Sequence, residues 1–332
     1  MQRFSHIPTW KQHRRGGFTL VELLVVIVVI AILASLLIVA VTGATKRARE
    51  AQVVAEMGGI DSAMVQFKNR YGVNVPSFIV LCEAGADWNG DWDSTPPMAG
   101  ITNVHRRASI AFLRGVWPDI DLTYSQATPT AGEIDLNGDG DAVDVLVLNG
   151  TECLVFFLGG VFQRGPVSND LADDVQIGFA ANPTFPFGAT STSNRIGPFV
   201  TFNVARYTDV DGDEVPEYRD PLPGQQRPYI FVSSYDGRGY QPYGINGTQN
   251  DADDEIPLQG GTGMINDIYR QDDRNPSTPP PLAPALNPNS FQIISPGGDD
   301  FEFGAGGEYN GERSVNVNER DNITNFKNGR LN

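Results

Sequence analysis

The chain has 332 residues and a formal charge of −16, and it contains 36 glycines and 23 prolines. A surface this acidic disfavours nucleic acid and anionic lipid as general partners and favours divalent cations. The glycine and proline content predicts short strands joined by many loops.

An apolar stretch follows a basic N-terminal flank and runs from Phe18 to Val41. As a helix it is long enough to span a bilayer of about 30 Å, whereas a cleaved secretory signal has an apolar region of about 7 to 15 residues. One carboxylate, Glu22, lies near the start of this stretch, where its burial in lipid is unfavourable. An ordinary membrane anchor explains the length but not Glu22, which is therefore a candidate functional residue.

Residues 14–22 read RRGGFTLVE, and this run resembles the processing site of type IV prepilins and type II secretion pseudopilins. The resemblance implies that residues 1–17 are a leader, that a peptidase on the cytoplasmic face cuts between Gly17 and Phe18, and that the new N-terminal Phe18 is methylated. It also implies that Glu22 pairs with the N-terminal amine of a neighbouring subunit. In lipid, an amine and a carboxylate relieve each other's cost when subunits stack.

A second apolar pattern follows in residues 42–72. Its apolar side chains recur at spacings of three or four, which predicts one buried face of a helix: Val54, Met57, Ile60, Met64, Phe67 and Tyr71. Gly72 is the predicted C-cap, and Pro76 follows it. Residues 18–71 therefore predict one helix of about 80 Å, with residues 18–41 as its transmembrane and assembly half and a bend or frayed point at Gly58-Gly59.

The rest of the chain, residues 73–332, predicts a globular head outside the cytoplasm. The run VLVLNGTECLVFFLGGVF is interpreted as two strands joined at Asn149-Gly150. Further strands are predicted in IGPFVTFNVARYTDV and RPYIFVSSY, and residues 275–288 predict a linker or extended loop. Spacing leaves open whether Cys82 and Cys153 form a disulfide. Together with the resemblance, this pattern predicts a pilin-like α+β fold, with the long helix packed on a loop-rich antiparallel sheet.

Two stretches of the head place carboxylates at alternate positions, a spacing that suits a calcium loop. In DVDGDEVPEYRD the acids fall at loop positions 1, 3, 5, 9 and 12, although Glu214 stands where glycine is usual: Asp209, Asp211, Asp213, Glu217 and Asp220. In DLNGDGDAVD a glycine is correctly placed but position 12 is Leu146, and the candidate ligands are Asp135, Asn137, Asp139, Asp141 and Asp144. The alternative for either stretch is a solvated turn held by Asx hydrogen bonds.

The C-terminal part carries a second resemblance. The run DPLPGQQRPYIF is similar to a strand entry of type II secretion major pseudopilins, and ISPGGDDFEFGAGG followed by RDNITNF is similar to their C-terminal calcium loop. This resemblance implies a calcium site with Ser295, Asp299, Asp300, Asp321 and Asn322, although the family has an aspartate where Asn322 stands and a glycine where Asp300 stands. Residues 77–215 have no counterpart there and are predicted to be an insertion, which leaves residues 216–332 as the pseudopilin-like part.

Three classes of function remain open. The resemblance favours a pseudopilin, a structural subunit that polymerises into a type II secretion pseudopilus. Its implied partners are copies of itself, other pseudopilins, the prepilin peptidase and an inner-membrane secretion platform, and its implied location is the inner membrane with the head in the periplasm. The alternative is a minor or specialised type IV pilin-like protein with a ligand-binding head. An enzyme is disfavoured because the processed chain has one histidine, His105, and no G-x-S-x-G motif.

Overall fold

The fold is α+β, as the sequence predicts: a long N-terminal helix is followed by small sheets, most of them antiparallel. The computed structural model describes residues 18–97, 101–123, 134–137, 143–163, 175–188, 194–210, 212, 214–234, 240, 268–271, 284–298, 303, 307–309 and 319–331. The helices within these ranges are α1 (Leu20–Tyr71), α2 (Asn103–Val116) and α3 (Gly150–Gly159). The chain divides into two compact units, residues 1–48 and residues 49–332.

Helix α1 contains 52 residues and is therefore about 80 Å long, as predicted. It is long and apolar enough to cross a membrane. Gly72 ends the helix with a positive φ of 79°, and its N–H donates to the carbonyl oxygen of Lys68 at 2.7 Å. The predicted C-cap is thus confirmed. The helix continues without a break through Gly58 and Gly59, where the sequence suggested a bend or fraying.

The second half of α1 buries the face that the apolar spacing predicts. Its buried side chains are Val53, Met57, Ile60, Ala63, Met64 and Phe67. Val54 and Tyr71 are half-buried at the margin of the same face. The period of 3.6 residues therefore places this half of the helix against the hydrophobic core of the second unit.

The strands of the described part of the chain are short. They are β1 (Ile79–Cys82), β2 (Val145–Leu148), β3 (Phe162–Gln163), β4 (Val175–Gln176), β5 (Phe179–Ala180), β6 (Arg195–Ile196), β7 (Tyr207–Thr208), β8 (Glu217–Tyr218), β9 (Ile230–Ser233), β10 (Tyr269–Gln271), β11 (Phe291–Ser295), β12 (Gly307–Tyr309), β13 (Ile323–Thr324) and β14 (Gly329–Arg330). The largest sheet has four antiparallel strands in the order β14-β13-β11-β9. The pairs β1–β2, β3–β4, β5–β6 and β7–β8 are antiparallel, and β10–β12 is parallel.

The predicted hairpin at Asn149-Gly150 is wrong, because β2 leads there into helix α3. The Asn149 side chain accepts hydrogen bonds from the N–H groups of Thr151 at 2.8 Å and Glu152 at 3.2 Å, and Glu152 Oε2 accepts one from Asn149 N–H at 2.7 Å. This reciprocal arrangement is a capping box. A Cβ on Gly150 would lie 1.9 Å from the carbonyl oxygen of Phe231, so the glycine permits close packing rather than a turn.

The remaining strand predictions are confirmed in part. RPYIFVSSY contains β9, but IGPFVTFNVARYTDV forms extended structure only near its ends, with a 3-10 helix at Val204–Arg206 capped by the Asn203 side chain. Of the predicted linker, residues 275–283 lie outside the described residues, and Ala285 forms a bridge to Arg270. Cys82 and Cys153 are both buried and both free thiols.

The main hydrophobic core joins the second half of α1 to residues of the predicted insertion. Helix α3 is buried on all sides, and its Phe157 ring lies 5.9 Å from the ring of Phe67 on α1. Strands β1 and β2 belong to the same cluster of buried side chains. The division of the head into an insertion at 77–215 and a pseudopilin-like part at 216–332 stays a prediction.

Candidate functional site

The first half of α1 exposes its apolar side chains. From Phe18 to Val41 the large apolar side chains that are described are 48–81% exposed, and Phe18 itself is 81% exposed. A continuous apolar surface of this size marks a region that lipid or another protein covers. Gly17, on the other side of the predicted cleavage point, lies outside the described residues.

Glu22 forms a capping box with Thr19 at the start of α1. Its Oε2 accepts hydrogen bonds from the Thr19 N–H at 2.9 Å and from the Thr19 hydroxyl at 2.8 Å, while Thr19 Oγ1 accepts one from the Glu22 N–H at 3.2 Å. Two donors of the first turn, which would otherwise lack partners, are thereby satisfied. The sequence motif assigned Glu22 to assembly alone, and this second role was missed although T-x-x-E is a known capping signature.

The predicted loop at residues 209–220 is held by its own hydrogen bonds. Asp209 accepts from the N–H groups of Gly212 at 2.6 Å and Glu214 at 3.3 Å, and Glu217 Oε2 accepts from Val210 N–H at 2.9 Å. Glu214 has a φ of 66°, so it adopts the left-handed backbone for which glycine is usual at this position. Asp211 and Asp213 lie outside the described residues.

Asp220, the last acid of that loop, faces a different predicted site. Its Oδ2 accepts from the Ser295 hydroxyl at 2.5 Å and from Gln225 Nε2 at 3.0 Å, and its Oδ1 accepts from Leu222 N–H at 2.8 Å. Burial is the main cause that raises the pKa of this carboxyl group above its ordinary value. The structure therefore brings together Asp220 and Ser295, which the sequence assigned to separate calcium loops.

The predicted C-terminal site is compact at its described residues. A Cβ on Gly297 would lie 2.2 Å from the carbonyl oxygen of Asp321, and Gly297 N–H donates to Ser295 Oγ at 3.2 Å. The backbone of Gly297 therefore lies directly against Asp321, in a position that admits no side chain. Asp299 and Asp300 lie outside the described residues.

Asn322 carries an unsatisfied oxygen at this site. The side chain is fully buried, and its Nδ2 donates to Tyr269 Oη at 3.0 Å and to the carbonyl oxygen of Phe303 at 2.8 Å. Its Oδ1 is buried and has no hydrogen-bond partner in the part of the chain that the structure describes. A buried carbonyl oxygen without a donor is costly, and a hard cation is one partner that would satisfy it. The Asn322 carbonyl oxygen is thus a chemically suitable calcium ligand.

A residue that the sequence did not indicate bonds the predicted loop at residues 135–144. Glu83, directly after β1, is fully buried; its Oε1 accepts from Leu136 N–H at 2.6 Å and its Oε2 from Asp144 N–H at 3.2 Å. Burial raises the pKa of Glu83 to about 8, and the charges of Asp144 and Asp135 add to this effect. No local pattern predicts this contact, because Glu83 is 53 residues from Leu136.

The other predicted ligands of this loop are placed only in part. Asp135 and Asn137 are buried, and Asn137 Nδ2 donates to Asp144 Oδ2 at 3.3 Å. Asp139 and Asp141 lie outside the described residues. Among the residues with a described position, no group of three or more His, Cys, Asp or Glu side chains is arranged to hold a metal ion. Calcium binding in the head therefore stays a prediction.

His105 has a local structural role. Its ring Nδ1 accepts a hydrogen bond from Thr102 N–H at 3.0 Å, and the Thr102 side chain caps the start of α2. Burial lowers the pKa of the imidazole, so the neutral form is favoured. These contacts account for His105 as a residue that stabilises the start of α2.

The comparison with known families bears on the N-terminus. Residues 12–38 match the family model described as the prokaryotic N-terminal methylation motif. Neither a curated protein nor a solved structure matches the chain. The matched residues include the predicted cleavage point, the Thr19–Glu22 capping box and the first part of α1, whose apolar surface fits a membrane anchor. The chain thus carries the N-terminal methylation motif of type IV prepilin-like proteins.

Proposed function

We propose that the protein is a pseudopilin, a structural subunit of a type II secretion pseudopilus that polymerises to drive protein export across the outer membrane. The observation that carries the proposal is the methylation motif at residues 12–38, which leads into a 52-residue helix. The first half of that helix exposes apolar side chains, and the second half buries one face in the head. This division of one helix suits a subunit that is first held in a membrane and then packed in a filament.

Processing comes first in the proposed mechanism. The prepilin peptidase removes residues 1–17 by cutting between Gly17 and Phe18, and Phe18 is then N-methylated. The new amine lies one residue before Thr19, whose N–H and hydroxyl already hold Glu22 Oε2. The amine of one subunit pairs with Glu22 of its neighbour, because both groups are unfavourable in lipid until they meet.

Filament growth then buries the exposed apolar half of α1 against other copies of the chain. Before assembly the protein is a single-pass inner-membrane protein with its head in the periplasm. Its partners are copies of itself, other pseudopilins, the prepilin peptidase and the inner-membrane secretion platform. The head would hold calcium through Ser295, Asp299, Asp300, Asp321 and Asn322, and the cation would neutralise the three aspartates of this set.

Mass spectrometry of the protein purified from cells tests the processing step. A mature chain that begins with methylated Phe18 is expected, and substitution of Gly17 should leave the uncut precursor in the membrane. A mature N-terminus after Ala34, Ala40 or Ala44 would contradict the proposal. The secretion role is tested by deleting the gene, which should trap normally exported proteins in the periplasm.

The Glu22→Ala variant tests assembly separately from processing. Loss of the charge eases membrane insertion on transfer grounds, so insertion and cleavage should be normal while filament incorporation falls sharply. Ser35→Ala is a matched control, because it removes another polar side chain of the same apolar stretch. Among the described residues, the Ser35 hydroxyl donates to the Ile32 carbonyl oxygen at 2.8 Å and to no other group. Equal filament yield from the wild type and Glu22→Ala would refute the pairing role.

A further inference from the structure

Three carboxylates on the second half of α1 face the head, and two of them have cationic partners. Glu56 accepts hydrogen bonds from both terminal nitrogens of Arg206, at 3.0 and 2.8 Å. Glu50 Oε1 lies 3.6 Å from Arg330 Nε. These two pairs join the helix to different parts of the head and leave neither carboxylate uncompensated.

Asp61, the third carboxylate, has no cationic partner in the described part of the chain. Its Oδ1 is buried without a hydrogen bond from any described residue. The group that faces it is the neutral side chain of Asn325, which favours the charged carboxylate but does not offset burial. That amide is already engaged with strand β11, since its Oδ1 accepts from Ile293 N–H at 3.0 Å and its Nδ2 donates to the Phe291 carbonyl oxygen at 3.3 Å.

Three charged groups on the two elements that meet at Asp61 have partners of their own. On α1, Glu56 is paired with Arg206. On residues 319–331, here called the C-terminal segment, Arg330 lies between Glu50 and Asp321, and Lys327 bonds the Tyr309 hydroxyl. Glu319 and Arg320 are further charged groups of the segment, and burial is the largest cause of the raised pKa of Asp61. The cost of a charged Asp61 thus comes from its burial.

We propose that Asp61 is a proton-sensitive contact between α1 and the C-terminal segment: proton uptake by Asp61 tightens the segment on the helix, and proton release loosens it. A charged carboxylate with one buried oxygen that accepts no hydrogen bond from the described residues is costly, whereas the neutral acid is cheaper to bury. The carboxylate recovers water when the segment moves away. The charged form therefore favours the open arrangement.

The direction of the pH dependence follows from the titration of Asp61. Burial raises its pKa from 3.8 to about 6, so the docked form binds a proton more tightly than the open form does. The added stability is fully present below about pH 4 and is lost as the pH rises through about 6. Because the side chain is partly exposed, solvent screening makes this loss of stability smaller than the change in pKa alone would give.

Hydrogen exchange of the full-length protein in detergent micelles tests the proposal. After correction for intrinsic exchange rates, the opening equilibrium of β13 and β14 should be roughly three- to tenfold larger at pH 7.5 than at pH 5.0. Asp61→Asn and Asp61→Ser should each reduce that ratio below twofold. At pH 7.5, Asp61→Asn should protect the segment about as well as the wild type does at pH 5.0.

Glu50→Gln is the matched control, since it weakens another contact between the same helix and the same segment. It should loosen the segment at both pH values and leave the ratio unchanged. A wild-type ratio near one overturns the proposal. So does a wild-type ratio that survives in either Asp61 variant, because another group would then carry the pH dependence. Neither result depends on filament assembly, so the test is independent of the proposed function.

Discussion

Thr19 and Glu22 hydrogen-bond each other in both directions at the first turn of α1. The carboxylate therefore has donors within its own subunit, which lowers its cost in an apolar environment before any neighbour arrives. Both hydrogen bonds that the carboxylate accepts from Thr19 go to Oε2, and Oε1 receives none from the described residues. Glu22 is thus held in one position with an oxygen left for a second partner.

Thr19→Val should lower filament incorporation without preventing cleavage. Valine keeps the shape of threonine but removes the hydroxyl that donates to Glu22 and accepts from its N–H, so the carboxylate is less firmly held. Thr19→Ser keeps the hydroxyl and should assemble like the wild type. The measurement is the yield of sheared filaments relative to processed subunits in the membrane. If Thr19→Val matches the wild type while Glu22→Ala fails, the capping box has no part in assembly.

Asn149→Ala should reduce the free energy of unfolding by roughly 0.5–2 kcal/mol, because it removes the N-cap of α3 and the side-chain acceptor of two backbone N–H groups. Asn149→Asp retains an acceptor and should cost less. Chemical denaturation of the two variants beside the wild type provides the comparison. Equal stability of Asn149→Ala and the wild type would mean that the capping box contributes nothing to the fold.

The sequence predicted α1 well and α3 not at all, for a physical reason. The second half of α1 lies at the core boundary, so its apolar residues recur with the helical period, and Gly72 marks its end. Helix α3 is buried on every side and has no polar face to reveal a period. A short apolar run around Asn-Gly then resembles two buried strands and a turn.

The candidate sites divide in the same way. The processing motif around Glu22 could be recognised because its residues, 14–22, are consecutive in the sequence, although the hydrogen bonds between Thr19 and Glu22 were missed. Glu83 and the Asp220–Ser295 pair could not be recognised, since both contacts join residues far apart in the chain, with separations of 53 and 75 positions. Alternate acids predict a loop, but the tertiary fold decides which loop each acid faces.

Arg206→Lys should weaken the attachment of α1 to the head by about 1–3 kcal/mol, because lysine cannot reproduce the two-point contact with Glu56. The arginine also donates to the Arg219 carbonyl oxygen at 3.2 Å and lies 4.4 Å from the Tyr218 ring centroid. A double-mutant cycle with Glu56→Gln isolates the pair. A coupling energy near zero in denaturation experiments would show that the ion pair adds no stability.

Glu83→Ala should be more harmful than Glu83→Gln. Alanine leaves the N–H groups of Leu136 and Asp144 without acceptors, each at a cost of about 1–3 kcal/mol, whereas glutamine keeps one acceptor oxygen. In calcium-free buffer the wild type should lose stability as the pH rises from about 4.5 to about 8, since burial raises the pKa of Glu83 over that interval. Glu83→Gln should lack this component. Indistinguishable pH profiles would contradict the assignment.

Removal of calcium should destabilise the head. Asp220 bonds Ser295, Asp321 lies against Gly297, and the sequence adds Asp299 and Asp300. Like charges a few ångströms apart repel unless a cation or protons intervene. A cation that binds the folded state alone stabilises it by about 2.7 kcal/mol at a hundredfold excess over Kd. Chelation should therefore lower the melting temperature of the full-length protein in micelles. Magnesium should restore it poorly, because it requires a smaller, near-octahedral set of ligands.

Variants distinguish the predicted calcium loops from general charge effects. Asp299→Ala and Asp321→Ala should blunt the response at the C-terminal loop, and Asp213→Ala should blunt it at residues 209–220. Asp119→Asn is the control, because it removes an exposed acid remote in sequence from all three loops. If Asp119→Asn reduces the calcium response as much as the others do, the cation acts by screening the surface. If calorimetry shows the same transition with calcium and with chelator, the head holds no stabilising calcium, while the capping box and the methylation motif still support assembly.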